Sequence, residues 1–256
     1  MTALLLTSLA VSLGINLTMF IIAYVRQSDK LTDISYAVTF ATIALYGFYK
    51  SDGSPSHILL ASAVGIWSLR LGSFLLYRVI KRGKDSRFDG TRENFVKFGK
   101  FWLGQALTVW VLMIPSILAF GATLTLTIGS LIGLVVWASG LIIETTADIQ
   151  KMNFANNPAN KNKWIESGIW RYSRHPNYYG EILVWVGLYL YVIPGLSITQ
   201  TIFGLISPIA ITCLLLFVSG IPVLEKAADK RWGNLAAYQE YKRRTSLLIL
   251  LPRKST

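Results

Sequence analysis

The amino-acid sequence predicts an all-α, polytopic integral membrane fold, and three observations carry that expectation. The 256 residues are 53% hydrophobic and only 15% charged, where an average soluble domain is about one quarter charged. Seven apolar stretches reach or approach the roughly 20 helical residues needed to cross a hydrocarbon layer about 30 Å thick. Basic residues gather between alternate stretches. No alternating strand pattern runs long enough for a barrel.

The first stretch, about 2–25, lacks the basic start and small-residue cleavage site of a signal peptide. Those at 34–49 and 180–194 are short, which implies tilt or ends buried in protein. The remaining spans are expected at 58–80, 100–120, 124–146 and 200–224. With the N-terminus outside, segments 26–33, 81–99, 147–179 and the tail from 225 are cytosolic. Of the 25 basic residues, only Lys50 then falls in an outside connection and only Arg70 lies mid-helix. That asymmetry follows the positive-inside rule. The net charge of +12 is therefore read as orientation and contact with anionic headgroups, not as a nucleic-acid surface. One seven-helix domain is expected over 1–256, with capping loops about 81–99 and 147–179 and a tail at 225–256. A lone cysteine, Cys213, excludes a disulfide framework, and two histidines make a metal centre unexpected.

The polar clusters suggest chemistry. Glu144 and Asp148, one turn apart near the end of the fifth helix, with Gln150 and Lys151, form either an anchoring ion pair or the wall of a ligand site. The run Arg171, Tyr172, Ser173, Arg174, His175, Pro176, Asn177, Tyr178, Tyr179, Gly180, Glu181 opens the sixth helix, with Pro176 suited to its first turn. Asn177 and Glu181 share a face there, and Arg171 and Arg174 flank a helix N-terminus that suits a phosphate. His175 reads as a capping or orienting residue. Arg70, within an apolar run, needs a carboxylate or ligand. Tyr77, Lys81, Lys84, Asp85 and Arg87 follow it as a solvated loop or a phosphate clamp. Arg231, Trp232, Tyr238 and Tyr241 mix cations with rings that cover a nucleotide or lie on headgroups. Asp33 and Tyr36 share a face at the start of the second helix, to cap it or to polarise a carbonyl. No glycine-rich nucleotide loop, zinc-protease or serine-hydrolase motif is present.

Several of these runs occur in order: Trp67 to Gly72, Arg82 to Phe88, Glu144 to Lys151, Ser173 to Glu181 and Arg231 to Tyr241. Together they resemble the membrane steroid 5α-reductase superfamily, especially its bacterial DUF1295 branch, over most of the chain beyond residue 30. The resemblance implies a seven-helix reductase of the bacterial inner membrane, with NADPH on the cytosolic side and a steroid or other lipid-like enone entering from the bilayer. The cofactor shell it implies comprises Lys81, Lys84, Arg87, Glu144, Asp148, Lys151, Arg171, Tyr172, Arg174, His175, Asn177, Tyr178, Glu181, Arg231, Tyr238 and Tyr241. The carbonyl-polarising role is expected of Asp33, with Tyr36, Arg70 or Tyr77 as partner; Arg70 stands where the family has a tyrosine. A monomer is the working expectation.

The Arg-His-Pro-x-Tyr core is shared with S-adenosylmethionine-dependent isoprenylcysteine and phospholipid methyltransferases, the rival enzyme. Those have paired glutamates before the tail motif, whereas Glu225 is followed by Lys226. A non-enzymatic sterol binder or small transporter is the third reading. Under the first, hydride reaches the β carbon of the enone while an acid stabilises charge on the ketone oxygen.

Overall fold

A computed structural model describes residues 1–82 and 88–253. Every extended element in it is helical: α1 (Thr2–Val25), α2 (Lys30–Lys50), α3 (Pro55–Arg82), α4 (Phe95–Phe120), α5 (Ile128–Asn156), α6 (Pro176–Val192), α7 (Ile198–Gly204), α8 (Ile206–Cys213), α9 (Ile221–Trp232) and α10 (Ala236–Arg244). Among the described residues six helical stretches, against the seven spans expected, are long and apolar enough to cross a membrane, one of them the run Ile198–Trp232. The expected sixth span is α6, whose 17 residues fall at the short end of the crossing range. The expected loop at 147–179 begins later than its sequence suggests, because α5 continues to Asn156. The chain divides into two compact units, Met1–Leu131 with Leu188–Ser207, and Ile132–Gly187 with Pro208–Thr256.

The first unit buries polar side chains alongside an apolar core that includes Phe40, Trp67 and Phe98, and leaves other apolar ones outward. Ser8, Ser12 and Asn16 repeat at helical spacing on α1 and are buried, while Leu6, Leu17 and Ile21 are exposed. Asn16 donates to Thr39 Oγ1 (3.2 Å). Gln105 on α4 donates to Asn16 Oδ1 (3.0 Å) and Ser35 Oγ (2.7 Å). Such pairing is how polar groups are satisfied where no water competes. Gly72 lets α3 approach α2 closely, since a Cβ there would stand 2.9 Å from that of Ala37.

Ion pairs secure the ends of this unit. Arg92 bonds Asp29 (2.6 Å) and Asp89 (2.5 Å), and the Arg92 and Asp29 side chains are almost wholly buried. Its partners leave it no uncompensated charge, which burial would otherwise penalise by several kcal/mol. The α2–α3 turn is held by His57, fully buried, with Nδ1 2.7 Å from Asp52 and Nε2 3.0 Å from the Ala119 carbonyl.

In the second unit, α5 and α6 meet backbone to backbone. A Cβ on Gly140 would lie 2.6 Å from the Gly180 carbonyl, and one on Gly180 would lie 2.6 Å from the Glu144 amide. One on Gly187 would lie 2.3 Å from the Trp137 amide. Small residues at this spacing replace side-chain interdigitation with direct helix contact. A π-helical turn, Leu214–Val218, separates α8 from α9.

Gly180→Ala should lower the thermal midpoint of the detergent-solubilised protein, at a cost of about 1–3 kcal/mol from overpacking. Gly14→Ala, whose Cβ meets nothing within 4 Å, should instead raise it, by up to about 1 kcal/mol of helix propensity.

Candidate functional site

The second unit contains a cavity of about 700 Å³ built from the end of α5, the segment after it, the start of α6, and α9 with α10. Local chemistry explains each wall. Asn157 caps the 3₁₀ turn Pro158–Asn160 by accepting from the Ala159 amide (3.0 Å). Asn162 adopts a left-handed φ of 64°, a conformation asparagine tolerates better than most residues. Its carbonyl accepts from Trp232 Nε1 (2.8 Å) and its Oδ1 from Arg231 (2.7 Å), which ties α9 to the turn. Gly168 also has positive φ, and a Cβ there would strike the Gln150 side chain. Gln150 accepts from the Ile169 amide (2.9 Å), so its role is to hold this loop.

Aromatic rings line one side. Trp164 packs edge-on to Trp232 (6.1 Å) and Tyr238 (5.2 Å) and tilts against Tyr241 (6.3 Å). Trp170 donates to the Ala147 carbonyl (3.0 Å) and carries the Lys151 ammonium 4.7 Å over its ring, a cation–π contact. Burial pushes the phenol of Tyr238 up to about 12 and that of Tyr241 upward as well, so both stay neutral donors.

The polar centre is Glu225. Its carboxylate accepts from Arg174 Nη1 (2.5 Å) and His175 Nε2 (2.9 Å), with Lys242 Nζ at 3.4 Å. Lys242 also bonds Asp229 (2.7 Å). His175 is 5% exposed, and the Tyr178 ring lies parallel to it at 5.7 Å. Burial lowers His175 below its ordinary 6.5, with the Lys151 and Arg174 charges adding to the effect and Glu225 opposing it.

Of the residues expected from sequence, the cavity gathers Lys151, Arg174, His175, Arg231, Tyr238 and Tyr241. Glu144 and Asp148 are buried on α5, and Asp148 accepts from Asn177 at 3.4 Å. Glu181 is half-buried one turn further along α6. Arg171 and Tyr172 are exposed and serve the tail instead. The Tyr172 carbonyl accepts from the Leu251 amide (3.3 Å), and the Arg171 carbonyl from Arg253 (3.3 Å). Ser173 and Ser246 form a parallel bridge beside them. Trp164 and Trp170 are contributors not expected from sequence, and Glu225, read there with the basic tail, meets Arg174 and His175 in a contact the sequence does not indicate. An indole directly after the polar segment 156–163 was the available signal for Trp164.

The first unit holds the other group. Asp33 pairs with Arg78 (2.6 Å), a partner its sequence neighbourhood does not indicate. Tyr36 sits edge-on to Phe40 at 5.0 Å, and Arg70 is half-buried. Tyr77 is 44% exposed, with Lys81 Nζ 3.3 Å from its hydroxyl. Lys84 and Arg87 lie outside the described residues. Among the described residues no group of three His, Cys, Asp or Glu is placed to hold a metal ion.

Residues 19–245 match the family model DUF1295, described as a protein of unknown function. No curated protein and no solved structure matches the chain.

Because His175 takes up a proton less readily in the fold than the usual 6.5, the unfolded chain binds it first. Stability contributed by the neutral imidazole is therefore present above about 6.5 and lost as pH falls from there toward the lowered value. His175→Gln, which keeps a donor for Glu225, should flatten that part of the curve. Thermal unfolding from about pH 7.5 to about pH 5, compared between the two proteins, checks it.

Proposed function

The chain belongs to the DUF1295 family, within the steroid 5-alpha reductase-like group, and from that premise we propose that it reduces the C=C bond of an enone lipid with NADPH. The observation that carries the reading is the charge of the aromatic cavity. Lys151, Lys161, Lys163, Arg174 and Arg231 line it against the single carboxylate of Glu225. A wall with that cationic excess attracts a dinucleotide bearing several phosphate charges. It repels S-adenosylmethionine, whose sulfonium is a cation, so the methyltransferase reading is the weaker one.

In this proposal the rings of Trp164, Trp232 and Tyr238 meet the planar parts of the cofactor and the cations meet its phosphates. Asn177, Asp148 and Glu181 on α5 and α6 take the nicotinamide amide. The bound cofactor supplies the hydride, and the protein supplies position and an environment poor in water. The oxygen-polarising role stays with Asp33, Tyr36, Arg70 or Tyr77, as the resemblance implies. With the Asp33 carboxylate engaged by Arg78, the Tyr36 hydroxyl is the neutral donor there and Arg70 the cationic one. The seven-span arrangement with an outside N-terminus and a cytosolic cofactor site in a bacterial inner membrane belongs to the same proposal, as does a 3-oxo-Δ4-steroid as the model substrate.

NADPH added to detergent-solubilised protein should quench indole fluorescence with a salt-dependent affinity. Lys161→Ala with Lys163→Ala, both exposed, should weaken that affinity about tenfold. Addition of a 3-oxo-Δ4-steroid should then oxidise NADPH. Tight S-adenosylmethionine binding with no NADPH response would overturn the proposal.

A further inference from the structure

Beyond α10 the chain leaves the helix and runs back to the start of α6. The Arg174 amide donates to the Ser246 carbonyl (2.8 Å), and the buried Ser173 hydroxyl donates to the Leu248 carbonyl (2.7 Å). The Leu251 amide donates to the Tyr172 carbonyl (3.3 Å). Arg253 reaches the Arg171 and Glu166 carbonyls, at 3.3 Å each. Every residue from 171 to 174 therefore holds segment 246–253. Pro176 opens α6 two residues later, so the pinned segment lies beside the end of the expected sixth span.

The side chains this segment turns outward are apolar. Leu247, Ile249 and Leu251 are 38%, 50% and 50% exposed, and they alternate with the half-buried Leu248 and Leu250. Tyr172, exposed on the run that pins them, is a ring of the amphipathic kind enriched at headgroup depth. Cations border this patch. Arg243 and Arg244 close α10 just before it, the exposed Arg171 stands beside it and Arg253 follows it. Glu240 meets Arg243 (2.8 Å) and Arg244 (3.5 Å), and Glu166 meets Arg253 (3.1 Å). Four arginines against two glutamates leave the border positive.

An aliphatic patch rimmed by cations matches the layer where acyl chains meet anionic headgroups. An acidic protein partner would answer the arginines too. The position beside the end of a span favours the bilayer, which is within reach of that end in every molecule.

We propose that segment 246–253 is an in-plane membrane anchor. Leu247, Ile249 and Leu251 enter the headgroup–acyl boundary of an anionic leaflet, and Arg171, Arg243 and Arg244 meet lipid phosphates. This does not depend on the NADPH reading. It bears on the cavity all the same, because the Ser173 hydroxyl that donates to Leu248 also accepts from the His175 amide (3.1 Å). A tail seated on lipid thus steadies the stretch that carries Arg174 and His175.

The test uses the full-length protein in lipid nanodiscs, with Cys213→Ser removing the exposed native thiol. Nitroxides are placed one at a time through Ile249→Cys, Leu251→Cys and, as the aqueous reference on α10, Gln239→Cys, whose side chain is exposed. Power saturation with oxygen and with a nickel chelate reads access from lipid and from water. In discs containing phosphatidylglycerol, labels at 249 and 251 should be open to oxygen and lose access to nickel, while the label at 239 keeps it. Nickel access at 249 should rise in pure phosphatidylcholine discs, and in the anionic discs at high salt, which screens the arginines. A label at 249 as open to nickel as the one at 239 in anionic discs would overturn the proposal. A label closed to both reagents would overturn it in favour of a protein cover. Equal nickel access at 249 in the two lipids would overturn the assignment to an anionic surface.

Discussion

The carboxylate of Glu225 gathers three basic groups from two places in the chain. Arg174 and His175 precede α6, Lys242 sits on α10, and all three converge on one side chain of α9. Remove it and the cations around the cavity lose the counter-charge that lets them lie so close together. Because a carboxylate only accepts, it also sets which nitrogen of the neutral His175 ring carries the proton. Packing and proton placement in the second unit thus share one cause, and a single neutral substitution acts on both.

The glycine contacts of α5 and α6 act one level below that. Because Gly140, Gly180 and Gly187 let backbones meet, Asp148 comes within hydrogen-bonding reach of Asn177. Larger residues would hold the helices apart and separate that pair. The first unit follows a different rule, in which Ser12, Asn16, Ser35, Thr39 and Gln105 are buried and bonded. Beside its buried apolar core, residues such as Leu6, Leu17 and Ile21 face outward, as expected of helices surrounded by hydrocarbon.

Electrostatics separates the rival chemistries more sharply than shape does. An aromatic-lined cavity suits any adenosine-bearing cofactor, since stacking is indifferent to what the ribose carries. The five cations against Glu225 are not indifferent. They favour a ligand of high negative charge, and that preference weakens as salt screens it.

Helix content, the long apolar spans and the Arg174–Glu181 cluster were legible in the sequence, because hydropathy, proline placement and i, i+4 spacing are local properties. Lys151, Arg231, Tyr238 and Tyr241, which line the cavity, were likewise singled out, the first by its helical spacing from Asp148 and the others as cations interleaved with rings. The length of α5 was misjudged because its last turns are polar, and polarity alone does not end a helix. Arg78 opposite Asp33, Glu225 beneath His175 and Trp164 against Trp232 were not legible. Each joins residues at least 45 positions apart, and no one-dimensional period encodes such a meeting. The sequence by itself determined which segments avoid water and which residues carry charge, since those follow from side-chain chemistry. Only the tertiary structure decided which charges meet and which carboxylate a buried imidazole faces, because both depend on distance in space.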